Sequence, residues 1–460
     1  MKGIDQVTSG NSEITEDGDA RLLVEALRTI QEEDGVLTGA ALRELASEYM
    51  VSPSRLYGVA ATCPEFSFEA AVEDRRPQGP PVEEPEFFNR IIRAGHAQLV
   101  VSGALTQRFA HPPATIEAYV DAGGMGALAR ASGDMKPEHV LSEIVLGKIT
   151  RKDAEWQAAA VTEQPFIIAN CHAGDPIAGQ ATTLLDRDAY SVLEGMHCAA
   201  VALGARHGFL YTANLTGEEE TRLNRTALDI AAAADGDFAV TVVPGVNSLV
   251  GSEDSVARAV IDGRRPVPSA QRTGVLLLRG RAAVIDSAEM FANVTAVLAS
   301  GEPAGTRLYR VTGAVDRPGI IEADASATVR ELAERAGTHA GAQALVGGLS
   351  GAFLTEGQLD QRMSVLKPAD NPRWRTVHML RDRRDIFPNA REMAAYNARY
   401  LCGRCVPCRI GSVRMAEMIE AFPPDAETLA ELAETLVATA LCPVGRGAAG
   451  MIRSALKRII

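Results

Sequence analysis

The 460-residue sequence predicts an α/β protein that carries helical segments at both ends. Three short apolar runs, at 165–170, 207–212 and 238–243, have the composition of buried strands. They alternate with helical stretches at 191–205 and 221–234. This β-α-β-α-β order favours a mostly parallel, Rossmann-like sheet with helical crossovers. An apolar fraction of 46% is typical of a folded globular protein.

Charge and hydropathy narrow the classes of function. The chain carries a net charge of −13, which argues against nucleic-acid binding through a general basic field. Its sequence has no run of roughly 18 apolar residues, so we expect no direct membrane insertion. The N-terminus is acidic and polar, unlike a secretory signal, and the expected location is cytoplasmic. Residues 1–90 hold 8 basic and 18 acidic residues, so most of the negative charge lies in an N-terminal arm.

The N-terminal part is predicted to be helical and separate from the rest of the chain. Residues 1–20 are polar and acidic and are interpreted as a disordered leader. In residues 21–71, apolar side chains recur at helical spacing and Gly35 supplies a stop, which predicts a helical arm. Residues 72–86 are rich in proline and charge and are predicted to be a linker.

Three further modules are predicted after the linker. Residues 87–300 contain the alternating strands and helices of the α/β domain. Residues 301–370 combine β-rich runs, a turn at 317–319 and one helix, which is the pattern of a compact α+β module of ubiquitin-like size. Residues 371–460 contain amphipathic helices around a group of cysteines and predict a helical bundle.

Four of the seven cysteines crowd the last 60 residues, at Cys402, Cys405, Cys408 and Cys442. A C-x2-C-x2-C loop can present three thiolates to the corners of one cube, and a distant fourth closes the cage, which favours a [4Fe–4S] cluster. Zinc is the main alternative, although zinc ribbons pair two C-x2-C knuckles rather than three cysteines plus one. Unligated cysteines are the third interpretation. The remaining cysteines are interpreted as small core residues: Cys63, Cys171 and Cys198.

The cysteine pattern resembles that of a known family. Residues 402–412 read C-G-R-C-V-P-C-R-I-G-S, and 442–445 read C-P-V-G. Both are similar to segments of the NADH-oxidising flavoprotein subunit of respiratory complex I and of the diaphorase subunits of NAD-linked hydrogenases and formate dehydrogenases. Segments 119–128 and 193–196 are also similar, so that the resemblance covers about residues 110–460. It implies an FMN domain, a soluble-ligand-binding β-grasp (SLBB-like) module and a C-terminal bundle whose four cysteines hold a [4Fe–4S] cluster.

The N-terminal arm resembles a different protein. Residues 21–62, and in particular Gly58-Val59-Ala60, are similar to the N-terminal helices of the thioredoxin-like [2Fe–2S] partner subunit. The thioredoxin-like part of that subunit, with its four cysteines, has no counterpart in this sequence. The resemblance implies a truncated partner fused onto the flavoprotein subunit. It also implies that the partners are other subunits of a redox complex of the hydrogenase, formate dehydrogenase or complex I type.

The resemblance is weakest where the family contacts nucleotides. The Gly-rich loop that cradles the FMN phosphate corresponds to 145–154, which keeps one glycine. The added Cβ atoms prevent the same close approach of backbone N–H groups to a phosphate. Of the acidic residues in two further nucleotide segments, Asp175 and Glu253 are kept. These two are the candidate FMN and NADH contacts, and the sequence leaves open whether FMN or NAD binds.

Three functions are compatible with this sequence. The first is an iron–sulfur electron-transfer subunit whose cluster works while its nucleotide site is lost or altered. We favour it, because the departures fall on nucleotide contacts and spare the cysteines. The second is an active NADH:acceptor oxidoreductase, a diaphorase that uses FMN and the cluster. The third is a structural or assembly module with a cluster that takes no part in redox chemistry.

Overall fold

The computed structural model describes residues 16–49, 56, 60, 66, 103–146, 150, 152–213, 215–234, 236–246, 248–269, 276–302, 305–338, 343–366, 375–421 and 425–459. The chain divides into two compact units, Met1–Glu83 and Glu84–Ile460. This division falls within the stretch predicted to be a linker. That linker, Cys63 and the first 15 residues of the predicted leader lie outside the described residues.

The first unit contains two described helices, α1 (Glu16–Asp34) and α2 (Gly39–Glu48). Helix α1 begins inside the predicted leader, so the last five residues of that leader are helical rather than disordered. It ends where Gly35 adopts a φ of +77°, as the sequence predicts for a glycine stop. The apolar side chains of this unit form one core: Leu23, Leu27, Leu37, Leu42, Leu45, Ala46, Leu56, Ala60 and Phe66.

In the second unit, short helices precede a sheet whose strands alternate with longer helices. The described helices of this part are α3 (Ile116–Asp121), α4 (Gly126–Ala129), α5 (Pro137–Leu146), α6 (Asp153–Ala160), α7 (Gln180–Leu203), α8 (Gly217–Ala233), α9 (Asp254–Ile261) and α10 (Ala288–Ser300). The strands are β1 (Phe166–Asn170), β2 (His207–Thr212), β3 (Ala239–Pro244), β4 (Leu276–Leu278) and β5 (Arg281–Ser287). The three predicted strands and two predicted helices are confirmed, with α7 beginning earlier than expected.

These strands form a mixed five-stranded sheet in the order β3-β2-β1-β5-β4. All neighbours are parallel except β4, which pairs antiparallel with β5. Strand β1 is buried along its whole length, as its continuous apolar run predicts for a central parallel strand. Strand β1 has β2 on one side and β5 on the other. The chain adds β2 and β3 on one side of β1 and later adds β5 on the other, so the strand order reverses between β1 and β5. In open α/β sheets, ligands bind in the crevice outside the carboxyl ends of the strands where the order reverses. In this sheet, Asn170 at the end of β1 and Ser287 at the end of β5 lie side by side at that crevice.

A second mixed sheet follows the first. Its elements are β6 (Thr306–Gly313), β7 (Gly319–Asp324), α11 (Val329–Arg335), β8 (Gln343–Val346), β9 (Ala352–Leu354) and β10 (Thr376–Leu380). The strand order is β7-β6-β10-β8-β9, and β10 is parallel to β6. The sheet therefore continues past residue 370, where the sequence had placed the start of the helical region. The assignment of this sheet to a β-grasp module remains a prediction.

The C-terminal region is helical, as predicted. It contains α12 (Ile386–Tyr400), α13 (Val406–Glu420), α14 (Ala426–Thr439) and α15 (Pro443–Ile459). Proline lies in the first turn of both α13 and α15, where its missing N–H costs no hydrogen bond. Of the helices in the described ranges, none combines the length and the apolar character needed to cross a membrane.

A turn of the second sheet, 347–351, joins that sheet to both of its neighbours. The backbone N–H of Leu349 donates to Asp175 of the first sheet's domain at 2.7 Å. The carbonyl of the same leucine accepts from the side chain of Asn397 on α12 at 3.1 Å. The hydroxyl of Ser350 donates to the carbonyl of Val444 on α15 at 3.4 Å. One short turn thus connects the α/β domain, the second sheet and the helical region.

Glu194, in the middle of α7, holds the short helices onto the first domain. Its side chain is fully buried and accepts three hydrogen bonds. The donors are the hydroxyl of Tyr119 at 2.5 Å and the backbone N–H groups of Met125 at 3.0 Å and Leu128 at 2.9 Å. Burial, together with the charge of Glu194, raises the pKa of Tyr119. The motif at 193–196 that resembles the family therefore has a structural function in this chain.

We expect Glu194→Ala to destabilise the protein by about 3–5 kcal/mol, because three buried donors lose their acceptor. Glu194→Gln keeps one acceptor oxygen and should cost less. Urea unfolding followed by circular dichroism measures both variants. Equal stability of Glu194→Ala and the parent protein would show that the carboxylate does not hold the short helices.

Candidate functional site

The four predicted cluster ligands lie at the starts of two helices. Cys402 lies in the loop after α12, Cys405 directly precedes α13 and Cys408 is in the first turn of α13, while Cys442 directly precedes α15. Cys408 and Cys442 are buried, with exposed fractions of 3% and 7%, and the other two cysteines are partly exposed. Gly403 adopts a φ of +66°, which lets the loop turn tightly between the first two cysteines.

The two helix starts bring the thiols together. Gly445 of α15 lies so close to Cys408 that an added Cβ would come within 2.9 Å of its sulfur. Burial raises the pKa of the Cys408 thiol, and the charges of the other three cysteines raise it further. Burial also raises the pKa of Cys442 to about 11, although the backbone N–H groups of Gly445 and Val444 donate to its sulfur and lower it.

The order of the donors along the chain is the one expected of an iron–sulfur site. Three cysteines lie in the loop and first turn that open α13, and the fourth directly precedes α15. Three thiolates from one loop with a fourth from a distant element are typical of [4Fe–4S] ligation, whereas zinc ribbons pair two C-x2-C knuckles. At the second helix start, the backbone N–H groups of Val444 and Gly445 donate to the Cys442 sulfur.

The carboxyl edge of the first sheet is where the nucleotide motifs predict a ligand. Between β1 and β5, Asp254 at the start of α9 accepts from Lys152 Nζ at 2.5 Å and from Asn170 Nδ2 at 3.0 Å. The Lys152 ammonium also donates to the carbonyl of Ile285 in β5 at 2.6 Å. Lys152, Asn170 and Asp254 thus form a bridge across the crevice, which we call the crevice bridge.

The segment aligned with the family's Gly-rich loop supplies this lysine. Within it, the hydroxyl of Thr150 donates to Asp286 at the end of β5 at 2.7 Å and accepts from the N–H of Lys152 at 2.9 Å. Residues 147–149 and 151 lie outside the described residues. The described part of the segment is therefore hydrogen-bonded to one carboxylate of α9, Asp254, and one of β5, Asp286, in the region where the resemblance places an anionic phosphate.

The two candidate nucleotide contacts lie on different elements. Asp175 is partly buried, and burial raises its pKa to about 6. Two backbone N–H donors and the charge of Arg310 act in the opposite direction and lower the pKa. Glu253 directly precedes α9, and its charge contributes to the raised pKa of Cys442, so it lies near the cysteines. The assignment of Asp175 and Glu253 as FMN or NADH contacts remains a prediction.

A cleft of about 300 Å³ lies at the carboxyl ends of β1, β2 and β3. Its lining includes Asp175, Thr182, Thr183, Arg310, Tyr396 and Tyr400. Tyr400 is two residues from Cys402, so the cleft and the cysteine loop share the end of α12. His172 is also in the lining: its Nδ1 accepts from the N–H of Gly174 at 2.9 Å, and its Nε2 lies 2.8 Å from the carbonyl oxygen of Val246.

Sequence reasoning missed Lys152 and the two tyrosines of the cleft. Lys152 falls in a segment that differs from the family pattern, and its partner Asp254 is 102 positions away, so no local signal joins them. Tyr396 and Tyr400 are four positions apart on α12, and their ring centroids lie 4.4 Å apart. That helical spacing was visible in the sequence, but its position beside the cysteine loop was not.

Comparison with known proteins confirms the resemblance. Residues 389–459 match the NADH-ubiquinone oxidoreductase-F iron-sulfur binding region, and residues 151–296 match the Nuo51 FMN-binding domain. The F subunit of the NADH-quinone oxidoreductase of Aquifex aeolicus is 24% identical over 385 residues, which cover 75% of this chain and 89% of that protein. The chain is thus similar to flavoprotein subunits both in the FMN domain and in the iron–sulfur region.

Similarity extends to NAD-linked hydrogenases. The NAD-reducing hydrogenase HoxS subunit alpha of Cupriavidus necator is 25% identical over 323 residues, which cover 62% of this chain and 52% of that protein. A solved NAD+-reducing [NiFe]-hydrogenase in the H2-reduced state superimposes with a TM-score of 0.64 at 23% identity, over 77% of this chain and 65% of the hydrogenase chain. At this identity, the structural match establishes the fold alone.

We expect Gly445→Ala to lower the iron content of the purified protein at least twofold, because its Cβ would press on the sulfur of Cys408. Gly450→Ala is the matched control on the same helix: a Cβ there meets nothing within 4 Å. It should keep its iron and gain up to about 1 kcal/mol of helix stability. Iron and acid-labile sulfide assays per chain measure the difference. Equal iron in the two variants would contradict the close packing of α15 against Cys408.

Proposed function

We propose that this chain is an iron–sulfur electron-transfer subunit of a multi-subunit redox complex, and that its α/β domain no longer binds flavin. The observation that carries the proposal is a contrast between two sites in one chain. The four cysteine ligands are all present at two helix starts, whereas the crevice for the flavin is spanned by the crevice bridge. Evolutionary decay of the whole protein would not be expected to leave the cysteines in place.

The cysteine site supports a working cluster. A [4Fe–4S] cluster, when bound, exchanges single electrons. Cys402, Cys405, Cys408 and Cys442 would hold it, and the N–H groups that point at the Cys442 sulfur would stabilise its negative charge. The partial exposure of Cys402 and Cys405 leaves one side of the site near the surface, as electron exchange with another protein requires.

The crevice bridge opposes flavin binding. To admit a flavin between β1 and β5, the Lys152 ammonium would have to leave both Asp254 and the carbonyl of Ile285. Losing such charge-assisted hydrogen bonds costs about 2 kcal/mol, which lowers affinity about thirtyfold. The segment also lacks the glycines that would let its N–H groups approach a phosphate. The residues that are present therefore do not fit FMN.

The relatives indicate the setting of this chain. They are named as subunits of NADH-quinone oxidoreductases and of an NAD-reducing hydrogenase. We infer that the partners of this chain are other subunits of such a complex, of the complex I, hydrogenase or formate dehydrogenase type, and that it works in the cytoplasm.

One observation favours a second function, an active NADH:acceptor oxidoreductase. The cleft of about 300 Å³ contains Arg310, threonine hydroxyls and Asp175, and it ends beside the cysteine loop. A nucleotide held there would lie next to the cluster. This candidate requires a flavin at a site other than the bridged crevice, which is the reason we place it second.

Cys405→Ala is expected to abolish the iron–sulfur absorbance and the EPR signal of the reduced protein, because the loop loses one of its three thiolates. Cys198→Ala is the control, since Cys198 is fully buried in α7 away from the cluster loop. Its spectra should match those of the parent. An unchanged spectrum in Cys405→Ala would refute the ligand assignment. A cluster that cannot be reduced and re-oxidised in an EPR titration would favour the structural module instead.

We expect anaerobically purified protein to contain iron and sulfide but no stoichiometric flavin, because the crevice bridge and the missing glycines both weaken FMN binding. Adding FMN should leave the fluorescence of the free flavin unquenched. NADH-dependent reduction of a dye should be absent with or without added FMN. Stoichiometric FMN together with NADH-dependent dye reduction would instead establish the oxidoreductase.

A further inference from the structure

A small cavity of about 20 Å³ lies where four segments of the α/β domain meet. The segments are residues 104–108, residues 123–127, helix α7 and helix α10. Small side chains of α10 leave the space open, since Ala292 and Ala296 are four positions apart and both line the cavity. One water molecule needs about 10–15 Å³ of such space, so the cavity has room for one water and not for an organic ligand.

Charged groups of both signs line this cavity. Arg108 and Glu194 are both in the lining, and they are exposed by only 8% and 0%. An ion of either sign that entered the cavity would face one like charge, in addition to the cost of losing its own water. A neutral molecule that can both accept and donate hydrogen bonds meets no such repulsion. The charges therefore select a dipolar neutral molecule over an ion.

Arg108 has a buried donor that needs an acceptor. Its Nη1 donates to Asp188 at 3.0 Å, and its guanidinium lies over the ring of Tyr119, 4.8 Å from the ring centre. The Nε–H of the same guanidinium is also buried, and none of the described residues accepts a hydrogen bond from it. Buried polar groups of folded proteins are nearly always paired, either with protein atoms or with ordered water.

Two acceptors of the same lining can take a further hydrogen bond. Glu194 Oε1 accepts from the N–H of Leu128 at 2.9 Å, and a carboxylate oxygen has lone pairs for two such bonds. The hydroxyl of Thr295 donates its hydrogen to the carbonyl of Ser191 at 2.7 Å, which leaves the lone pairs of the hydroxyl oxygen. A molecule among these groups can therefore accept one hydrogen bond and donate two.

We propose that this cavity is the binding site of one structural water molecule, which accepts from Arg108 Nε–H and donates to Glu194 and Thr295. Buried waters make about three hydrogen bonds to polar groups that otherwise lack them, and this site offers three. The water joins the segment at 104–108 to α7 and α10. Solvent can reach the site, because Ala299 at one side of the cavity is exposed.

A high-resolution crystal structure of the full chain tests the site directly. We expect one density peak in the cavity, at about 2.7–3.2 Å both from Arg108 Nε and from an oxygen of Glu194. A cavity without density would overturn the proposal. A peak that contacts Glu194 but not Arg108 would also overturn it, because that is the arrangement of a bound cation.

Two variants of nearly equal volume test the same site in solution. Ala292→Val and Ala292→Thr both add two atoms to the lining and displace the water, and both residues are β-branched, so that crowding and helix propensity are matched. Oxygen-17 magnetic relaxation dispersion, which counts long-lived internal waters, should find one fewer water per chain in each variant than in the parent.

Urea unfolding of the same two variants measures what the lost water contributes. Only threonine brings an oxygen that can accept from Arg108, so the unfolding equilibrium constant of Ala292→Val should exceed that of Ala292→Thr about tenfold. An unchanged count of internal waters, or equal stability of the two variants, would contradict the proposal. Circular dichroism before unfolding identifies a variant that does not fold, and the crystal structure of the parent then decides.

Discussion

The position of the cysteine loop depends on one tight turn, 347–351, in the second sheet. Gly348 in that turn has a φ of +61°, and a Cβ on it would collide with the carboxylate of Asp175. Only glycine lets the backbone come close enough for the N–H of Leu349 to reach that carboxylate at 2.7 Å. The same turn accepts from Asn397 on α12, the helix that leads into the cysteine loop. The turn therefore holds the last part of α12 in place, and with it the position of Cys402, the first of the predicted cluster ligands.

This arrangement gives Asp175 a structural role that does not depend on a bound nucleotide. Its carboxylate has two backbone N–H donors and a nearby arginine, which keep a partly buried acid in place even though burial raises its pKa. The crevice bridge is a similar case, since Asp254 now satisfies a lysine of the same chain. In both places, polar residues aligned with the family's nucleotide segments are hydrogen-bonded within this chain.

Local patterns in the sequence predicted much of the fold. Continuous apolar runs predicted β1, β2 and β3. A parallel strand that is covered on both faces carries apolar residues at successive positions instead of alternating apolar and polar ones. The spacing of the cysteines predicted three ligands in one loop and a fourth on a distant element, and the structure shows that both segments lie at helix starts. What the sequence could not show was any pairing between distant segments. Strand β10 completes the second sheet by pairing with β6 and β8, and nothing near residue 376 indicates these partners. The crevice bridge is a contact of the same kind.

The turn at 347–351 also implies that the helical region does not reach its arrangement by itself. The side chain of Asn397 on α12 donates to the carbonyl of Leu349, which lies 48 positions earlier in the chain. The carbonyl of Val444 accepts from the hydroxyl of Ser350 in the same turn. A fragment that begins at α12 would lose both contacts, so the position of the cysteine loop is a property of the whole second unit rather than of its last four helices.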